Sequence, residues 1–253
     1  MGDEGLRSAS SRLVAEFVVI VVGVLVALGV NSFVSWTRDR DLEKEYLGRL
    51  LQDVDYDLSE LAFVEAVATA AQAYADTLLM PGVSDGWDDP QFVGAVVLAS
   101  NSREVDLSRS TFQELVNSGR IGLIRSSKLR TQLANYERLF LELVGFWDRA
   151  TPDFQIWVRS RIPDRVTRDF RELCAKPDSP SISDPIQACP FEIHGWSATD
   201  LRSEMGEDEA RRLLHLQTWR IDGTLSIVDV FRAAAEQLRA TIVDEARAAG
   251  VEL

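Results

Sequence analysis

The sequence predicts an all-α protein in which one N-terminal transmembrane helix continues into a long stalk helix and then a helical-bundle domain. Two observations support this fold class. Residues 17–37 contain no charged side chain, and about 21 residues are enough for a helix to cross the hydrocarbon core of a bilayer. Beyond that run Ala, Leu, Glu and Arg are abundant and β-branched runs are scarce, which is typical of helices.

The apolar run divides the chain into four expected segments. These are an N-terminal tail (1–12), a transmembrane helix (13–37), a stalk helix (38–80) and a helical domain (81–253). The run is longer than the core of a cleaved signal peptide, which favours a retained anchor. No second run approaches the roughly 18 residues of a span, so a single-pass protein is expected.

The stalk continues without a helix breaker until Pro81, and its apolar residues recur at steps of three and four. This spacing predicts one apolar helical face. The face comprises Leu47, Leu50, Leu51, Val54, Leu58, Leu61, Val64 and Val67. A seven-residue step also links Leu47, Val54, Leu61 and Ala68, although Glu65 interrupts the paired position. A self-associating coiled coil is one interpretation, and packing against later helices of the same chain is the favoured one.

Turn and cap residues divide the rest of the chain into further helices. The connector 81–90 is rich in Pro, Gly and Asp, which predicts a turn. Gly119 is a natural C-terminal stop, and Ser126 or Ser127 can cap the helix that follows. The segment Leu225–Ala249 carries a last apolar stripe.

The two cysteines, Cys174 and Cys189, bracket a segment rich in Pro, Ser and Asp. We expect an irregular loop over 174–198. A disulfide bridge across this loop and two free thiols are both consistent with the sequence. A metal site is a poor alternative, because neither cysteine has a partner at CxxC spacing.

The net charge is −13, which argues against nucleic acid as a partner because phosphates need a basic surface. The motifs GxSxG, GxGxxG, HExxH and the P-loop do not occur. We therefore predict no catalytic, cofactor-binding or metal-ligating residues and no enzymatic activity.

One acidic run has the spacing of a calcium loop. Asp53, Asp55, Asp57 and Ser59 match the first EF-hand ligands. However, Leu58 stands at the position where that loop requires glycine. A solvated face of the stalk helix is the favoured interpretation.

Aromatic residues fall into two groups. Trp87, His194 and Trp196 lie on predicted loops and could form a contact surface. Trp147, Trp157 and Trp219 lie at helical spacing and are expected in the core.

Residues 112–130 have two interpretations. In the favoured one, Gly119 permits a corner between two helices whose apolar residues fill the core. In the other, Asn117, Arg120 and Arg125 line a site for an anionic ligand.

The predicted span has one face of small and polar residues, formed by Glu16, Gly23, Ala27 and Asn31. Small residues let membrane helices approach closely, and a buried Asn can bond across the interface. We expect this face to mediate homo-oligomerisation or contact with another membrane protein.

Two segments resemble a family of uncharacterised bacterial single-pass membrane proteins. The first contains the face residues just named, followed by Glu45-Tyr46-Leu47. The second contains Thr111, Phe112, Glu114, Leu115, Ser118, Gly119, Ile124, Leu129, Arg130 and Tyr136. The resemblance implies an N-terminal anchor with a helical domain and implies no activity.

These observations predict a non-enzymatic bacterial inner-membrane protein that acts through oligomeric assembly or partner contact. The alternative is a membrane-tethered receptor or sensor that binds a small ligand. Basic residues follow the span at Arg38, Arg40, Lys44 and Arg49 and precede it at Arg7 and Arg12. This balance favours a cytoplasmic domain. A disulfide and the tolerance of large domains to such charges favour a periplasmic one, which we expect.

Overall fold

The computed structural model describes residues 3–103, 105–147, 153–174, 193 and 195–251, and within 3–19 and 144–147 it describes the backbone alone. The described residues form helices, turns and loops without any strand. The predicted all-α class, with a long N-terminal helix followed by a helical domain, is confirmed.

The described part of the chain contains eight α-helices. They are α1 (Asp3–Leu79), α2 (Asp89–Ala99), α3 (Ser110–Asn117), α4 (Ser127–Trp147), α5 (Asp153–Arg161), α6 (Asp164–Cys174), α7 (Thr199–Met205) and α8 (Asp208–Ala249). Short 3-10 turns occupy Val83–Gly86 and Ile121–Leu123.

Helix α1 is 77 residues long and has no break between its apolar and its charged part. Its residues 20–36, called the apolar segment below, are all solvent-exposed in the structure. Within the described residues, α1 is the one helix long and apolar enough to cross a membrane, judged by length and composition alone.

The core of the domain is an antiparallel pair formed by the second half of α1 and the whole of α8. Contacts along the pair fix its direction, because Gln72 bonds Asp222 at 2.6 Å while Asp55 pairs with Arg239 at 2.6 Å. Residue numbers therefore rise along one helix as they fall along the other. The predicted packing of the stalk against a later helix is confirmed.

On each helix one series of ten buried positions follows alternating steps of four and three, the heptad spacing of coiled coils. On α1 they are Glu43, Leu47, Leu50, Val54, Asp57, Leu61, Val64, Ala68, Ala71 and Ala75. On α8 they are Ala210, Leu214, Gln217, Ile221, Thr224, Val228, Phe231, Ala235, Leu238 and Ile242. Glu65 lies outside this seam and pairs with Arg232 of α8 at 2.5 Å.

Shorter helices cover the pair at its two ends. Near the apolar segment, α3, the turn Ile121–Leu123 and α4 pack against α1 and the second half of α8, forming the near cluster. Further along, α2, α5, α6 and α7 pack around the end of α1 and the start of α8, forming the far cluster. Gly119 has a φ of 70° just after α3, so the predicted helix stop is confirmed.

The predicted core tryptophans have different outcomes. Trp157 is buried in the far cluster, as expected. The prediction for Trp219 is wrong, because its side chain is 64 % exposed. The heptad seam uses Gln217 and Ile221 of α8, and this phase turns position 219 away from α1. The side chain of Trp147 lies outside the described residues.

Candidate functional site

The feature of the domain with the most unusual chemistry is a carboxylate at the α1–α8 seam. Asp57 occupies a heptad position between Leu50 and Val64, and its side chain is fully buried. One carboxylate oxygen accepts the backbone N–H of Ser108 at 2.6 Å. The other accepts the hydroxyl proton of Tyr136 on α4 at 2.9 Å. A buried charge needs such partners, because its desolvation is costly.

Asp53 lies one turn earlier on α1 and binds the same loop. Its carboxylate accepts the hydroxyl of Ser108 at 2.7 Å and the backbone N–H of Thr111 at 3.1 Å. Thr111 belongs to the first turn of α3, whose own N-cap residue, Arg109, makes no side-chain cap. Asp53 therefore satisfies an orphan N–H group of α3 from another helix.

Burial raises the pKa of Asp57 to about 7. The hydrogen bonds from Ser108 and Tyr136 lower that pKa, while the nearby carboxylates of Asp53 and Asp106 add to the rise. Burial and the charge of Asp57 also raise the pKa of Tyr136, so the phenol stays a donor. The Asp57 carboxyl therefore binds and releases a proton near neutral pH.

Two further buried carboxylates of α1, those of Glu43 and Glu60, bind Arg125 and Arg103 in the loops before α4 and α3. Glu43 accepts the backbone N–H of Arg125 at 2.9 Å and the guanidinium of Arg40 at 3.1 Å. Glu60 accepts the guanidinium of Arg103 at 2.9 Å. Together with Asp53 and Asp57 these residues form what we call the polar seam (Glu43, Asp53, Asp57 and Glu60), which fastens the loop before α3 and the loop before α4 to α1.

The predicted solvated face is wrong for Asp57, because the loop preceding α3 covers it. Asp55, in contrast, points away from Asp57 and pairs with Arg239. Where the structure describes the chain, it shows no group of three or more His, Cys, Asp or Glu residues arranged to hold a metal ion. The carboxylates of the EF-hand-like spacing instead accept protein donors.

The expected contact surface of Trp87, His194 and Trp196 lies at the far end. Trp87 and Trp196 are half-buried and pack against the far cluster, and His194 lies outside the described residues. Trp87 also lines an open cleft of about 540 Å³ whose walls include Phe92, Arg202 and Arg211.

Arg202 is the best-bonded cation of this cleft. Its guanidinium donates to the carbonyls of Trp87 and Asp88, each at 2.8 Å, and lies over the ring of Phe92 at 4.2 Å. It also pairs with Asp89 at 3.3 Å. These contacts hold α7 against the start of α2, so the guanidinium of Arg202 has a structural role.

The remaining predicted residues are on α1 and α6. Gly23, Ala27 and Asn31 lie on the apolar segment and are exposed, while the side chain of Glu16 lies outside the described residues. Cys174 is buried at the end of α6 and is not a free thiol. Cys189 lies outside the described residues, so the bridge between the two stays a prediction.

No protein-family model, curated protein or solved structure matches this chain. The resemblance to a family of uncharacterised membrane proteins accordingly stays a prediction, and the function is inferred from the geometry.

We expect Asp57→Asn to change how stability depends on pH. Because the folded-state pKa lies above the ordinary value of about 3.9, folding favours the protonated form. That contribution is fully present below about pH 4 and is lost as the pH rises towards 7. Asp57→Asn lacks this contribution. As the pH rises from 4 to 7, the free energy of unfolding of the variant should therefore increase relative to that of the wild type, by at most about 1.4 kcal/mol per pH unit.

Denaturant unfolding of the full chain in one detergent, followed by tryptophan fluorescence between pH 4 and 8, measures this difference. Asp76→Asn is the matched control, since it removes the same charge from an exposed position of α1. Parallel pH profiles for wild type and Asp57→Asn would show that Asp57 does not titrate in this range.

Proposed function

We propose that this chain is a non-enzymatic bacterial inner-membrane protein, anchored by residues 13–37, that acts through oligomeric assembly or partner contact of its helical domain. The observation that carries the proposal is the continuity of α1. One helix provides both the apolar segment and half of the domain core.

The exposure of the apolar segment supports the anchor. Large side chains such as Leu25, Phe33 and Val34 are more than half exposed, and soluble monomers rarely expose so large an apolar surface. Lipid chains and neighbouring helices are the surroundings that suit this segment.

The absence of a linker between anchor and core supports a role in assembly. A flexible linker between an anchor and a domain decouples the motions of the two. Here, association of α1 in the membrane would place the domains of neighbouring copies at a fixed distance and rotation. Partner contact of the domain would in the same way constrain the anchor.

A receptor or sensor is the second candidate, and the far cleft favours it. Its volume of about 540 Å³ lies within the range of small-molecule sites. Arg211 lines the cleft and donates to one carbonyl, that of Leu79, at 3.3 Å. A small carboxylate is the ligand class that such a cation beside Trp87 would take.

We expect Gly23→Ile combined with Ala27→Ile to weaken oligomerisation. A Cβ atom at Gly23 meets nothing within 4 Å in the single chain, so the bulk acts between helices and not within the fold. Val22→Ile combined with Val26→Ile is the matched control, since it changes similar positions on another face. Cross-linking of the full chain in membranes, read as the dimer fraction, measures both.

We expect the dimer fraction to fall severalfold when Gly23 and Ala27 are replaced, because the close approach of small residues is lost. The control variant should keep the wild-type dimer fraction. If both variants cross-link like the wild type, the face does not mediate self-association.

We also expect the domain to lie in the periplasm with Cys174 and Cys189 bridged. In cells expressing the full chain, denaturation without reductant should leave both cysteines unreactive to maleimide, since a bridge persists in an oxidising compartment. Because Cys174 is buried, the compartment is read from a thiol at an exposed position. In outer-membrane-permeabilised cells, a membrane-impermeant maleimide should label the thiol introduced by Arg159→Cys. Protection of that thiol would instead place the domain in the cytoplasm.

The sensor candidate predicts that a small carboxylate raises the unfolding temperature of the purified protein. The rise should disappear in Arg211→Gln and persist in Arg159→Gln, an exposed arginine outside the cleft. A thermal-shift panel of aliphatic and aromatic monocarboxylates is the measurement. If no member shifts the wild type, assembly remains the function that the geometry favours.

A further inference from the structure

We propose that a second copy of the chain binds to the side of α1 that the domain leaves uncovered, just beyond the apolar segment, with Arg38 of each copy paired to the partner's Asp41. This inference rests on the proposed oligomeric assembly and deepens it by naming a contact surface outside the membrane. We call Val34, Arg38, Asp41, Glu45 and Gly48 of α1 the outer face.

The domain covers one side of α1 next to the apolar segment. The buried positions of α1 between residues 43 and 50 are Glu43, Tyr46, Leu47 and Leu50. The loop before α4 approaches the same side, where the guanidinium of Arg125 is 5.5 Å from the ring centre of Trp36. At about 100° per residue, these buried positions fill a sector of roughly 100°, and the outer face is centred about 170° away from it. The outer face therefore lies opposite the domain.

The outer face is open in the single chain. Val34, Arg38, Asp41 and Glu45 are exposed, and a Cβ atom at Gly48 would meet nothing within 4 Å. The four exposed side chains line one open cleft of about 530 Å³, and all the described residues around this cleft belong to α1. A neighbouring helix therefore has room to pack against the outer face without displacing the domain.

The charges of the outer face are not used by the fold. Nearby on α1, Arg40 pairs with Glu43 at 3.1 Å. In contrast, Arg38, Asp41 and Glu45 form no ion pair and no side-chain hydrogen bond with any residue that the structure describes. One positive and two negative side chains thus share an exposed face. A face that binds a copy of itself has to be self-complementary, and charges of both signs meet this requirement.

A common bilayer would hold two copies of α1 parallel, because the apolar segment and the outer face belong to one unbroken helix. In a two-fold pair, residue i of one copy contacts residue j of the other while j contacts i. Positions 38 and 41 differ by about 4.5 Å along the helix axis, a distance that the long side chain of an arginine spans. Contact between each Arg38 and the partner's Asp41 therefore gives two equivalent ion pairs.

The spacing of the outer face suits a parallel pair. Positions 34, 38, 41, 45 and 48 follow steps of four and three, the spacing that keeps one seam of each helix in contact with the other. The same steps lead back to Asn31 and Ala27 of the apolar segment, which belong to the face expected to associate in the membrane. One seam would thus run from the membrane into the first turns outside it, with the two domains on the outer sides of the pair.

Charge exchange between two differently tagged copies tests the inference. Both copies are expressed together as full chains, and the fraction that coprecipitates from membranes solubilised in a mild detergent is measured. Arg38→Asp in both copies brings carboxylates together, and Asp41→Arg in both copies brings guanidinium groups together, so each change should lower this fraction severalfold. Arg38→Asp in one copy with Asp41→Arg in the other restores opposite charges at both contacts and should return the fraction to the wild-type value.

The matched controls make the same charge changes at exposed positions away from the outer face. They are Asp76→Arg in both copies, and Arg159→Asp in one copy with Asp76→Arg in the other. Both should keep the wild-type fraction. An equal loss with Asp76→Arg and with Asp41→Arg would overturn the inference, because net charge alone would then explain the repulsion.

Combining both changes on one chain separates contacts between copies from contacts within one helix. If the mixture of the two single variants stays as weak as either variant alone, the inference is overturned, and recovery in the combined variant would then assign the ion pair to a single helix. A wild type that does not coprecipitate contradicts oligomeric assembly itself. Coprecipitation that neither Arg38→Asp nor Asp41→Arg lowers contradicts the outer face alone.

Discussion

The structure depends on the burial of one carboxylate, Asp57, in the seam between α1 and α8. A buried polar group that loses its partners costs about 1–3 kcal/mol, and a charged one costs more. Asp57 takes its donors from two other parts of the chain, the backbone of Ser108 and the phenol of Tyr136. The position of the loop before α3 and that of α4 therefore both depend on this residue. Tyr136 in turn contacts Phe231 of α8 edge to face, with ring centres 5.8 Å apart, which connects the polar contact to the apolar seam.

The remaining carboxylates of the polar seam extend the same arrangement along α1. Asp53 supplies the side-chain acceptor that the first turn of α3 lacks from its own N-cap, and Glu43 binds the loop that leads to α4. An eight-residue helix such as α3 is too short to be stable alone, so its formation depends on α1. The near half of the domain is thus assembled on α1, the helix that also carries the apolar segment. The apolar segment and the domain form one structural unit for this reason.

The sequence was sufficient to predict the elements whose signals are local. The heptad pattern of α1, the stop at Gly119 and the all-α class all arise from residues close together in the chain. Asp57 could not be assigned in the same way, because its partners are 51 and 79 residues away. The acidic residues of 53–59 indicate a solvated helix face when they are considered as a group. Position 57, however, lies seven residues after Leu50 and seven before Val64, and this spacing assigns it to the buried seam. Trp219 illustrates the opposite error, since helical spacing predicts a buried face without specifying which residues occupy it.

A polar residue at a heptad position commonly fixes register, because any other alignment leaves it without partners. Sliding α1 by one heptad, about 10.5 Å, would place Leu50 or Val64 opposite the Ser108 N–H and the Tyr136 hydroxyl. Both donors would then be buried without acceptors, and Asp57 would face apolar side chains. The register set by Asp57 also sets the distance between the domain and the apolar segment. A slide would separate Glu43 from Arg125 and Arg125 from Trp36, so the buried acid determines how far the domain lies from the end of the apolar segment.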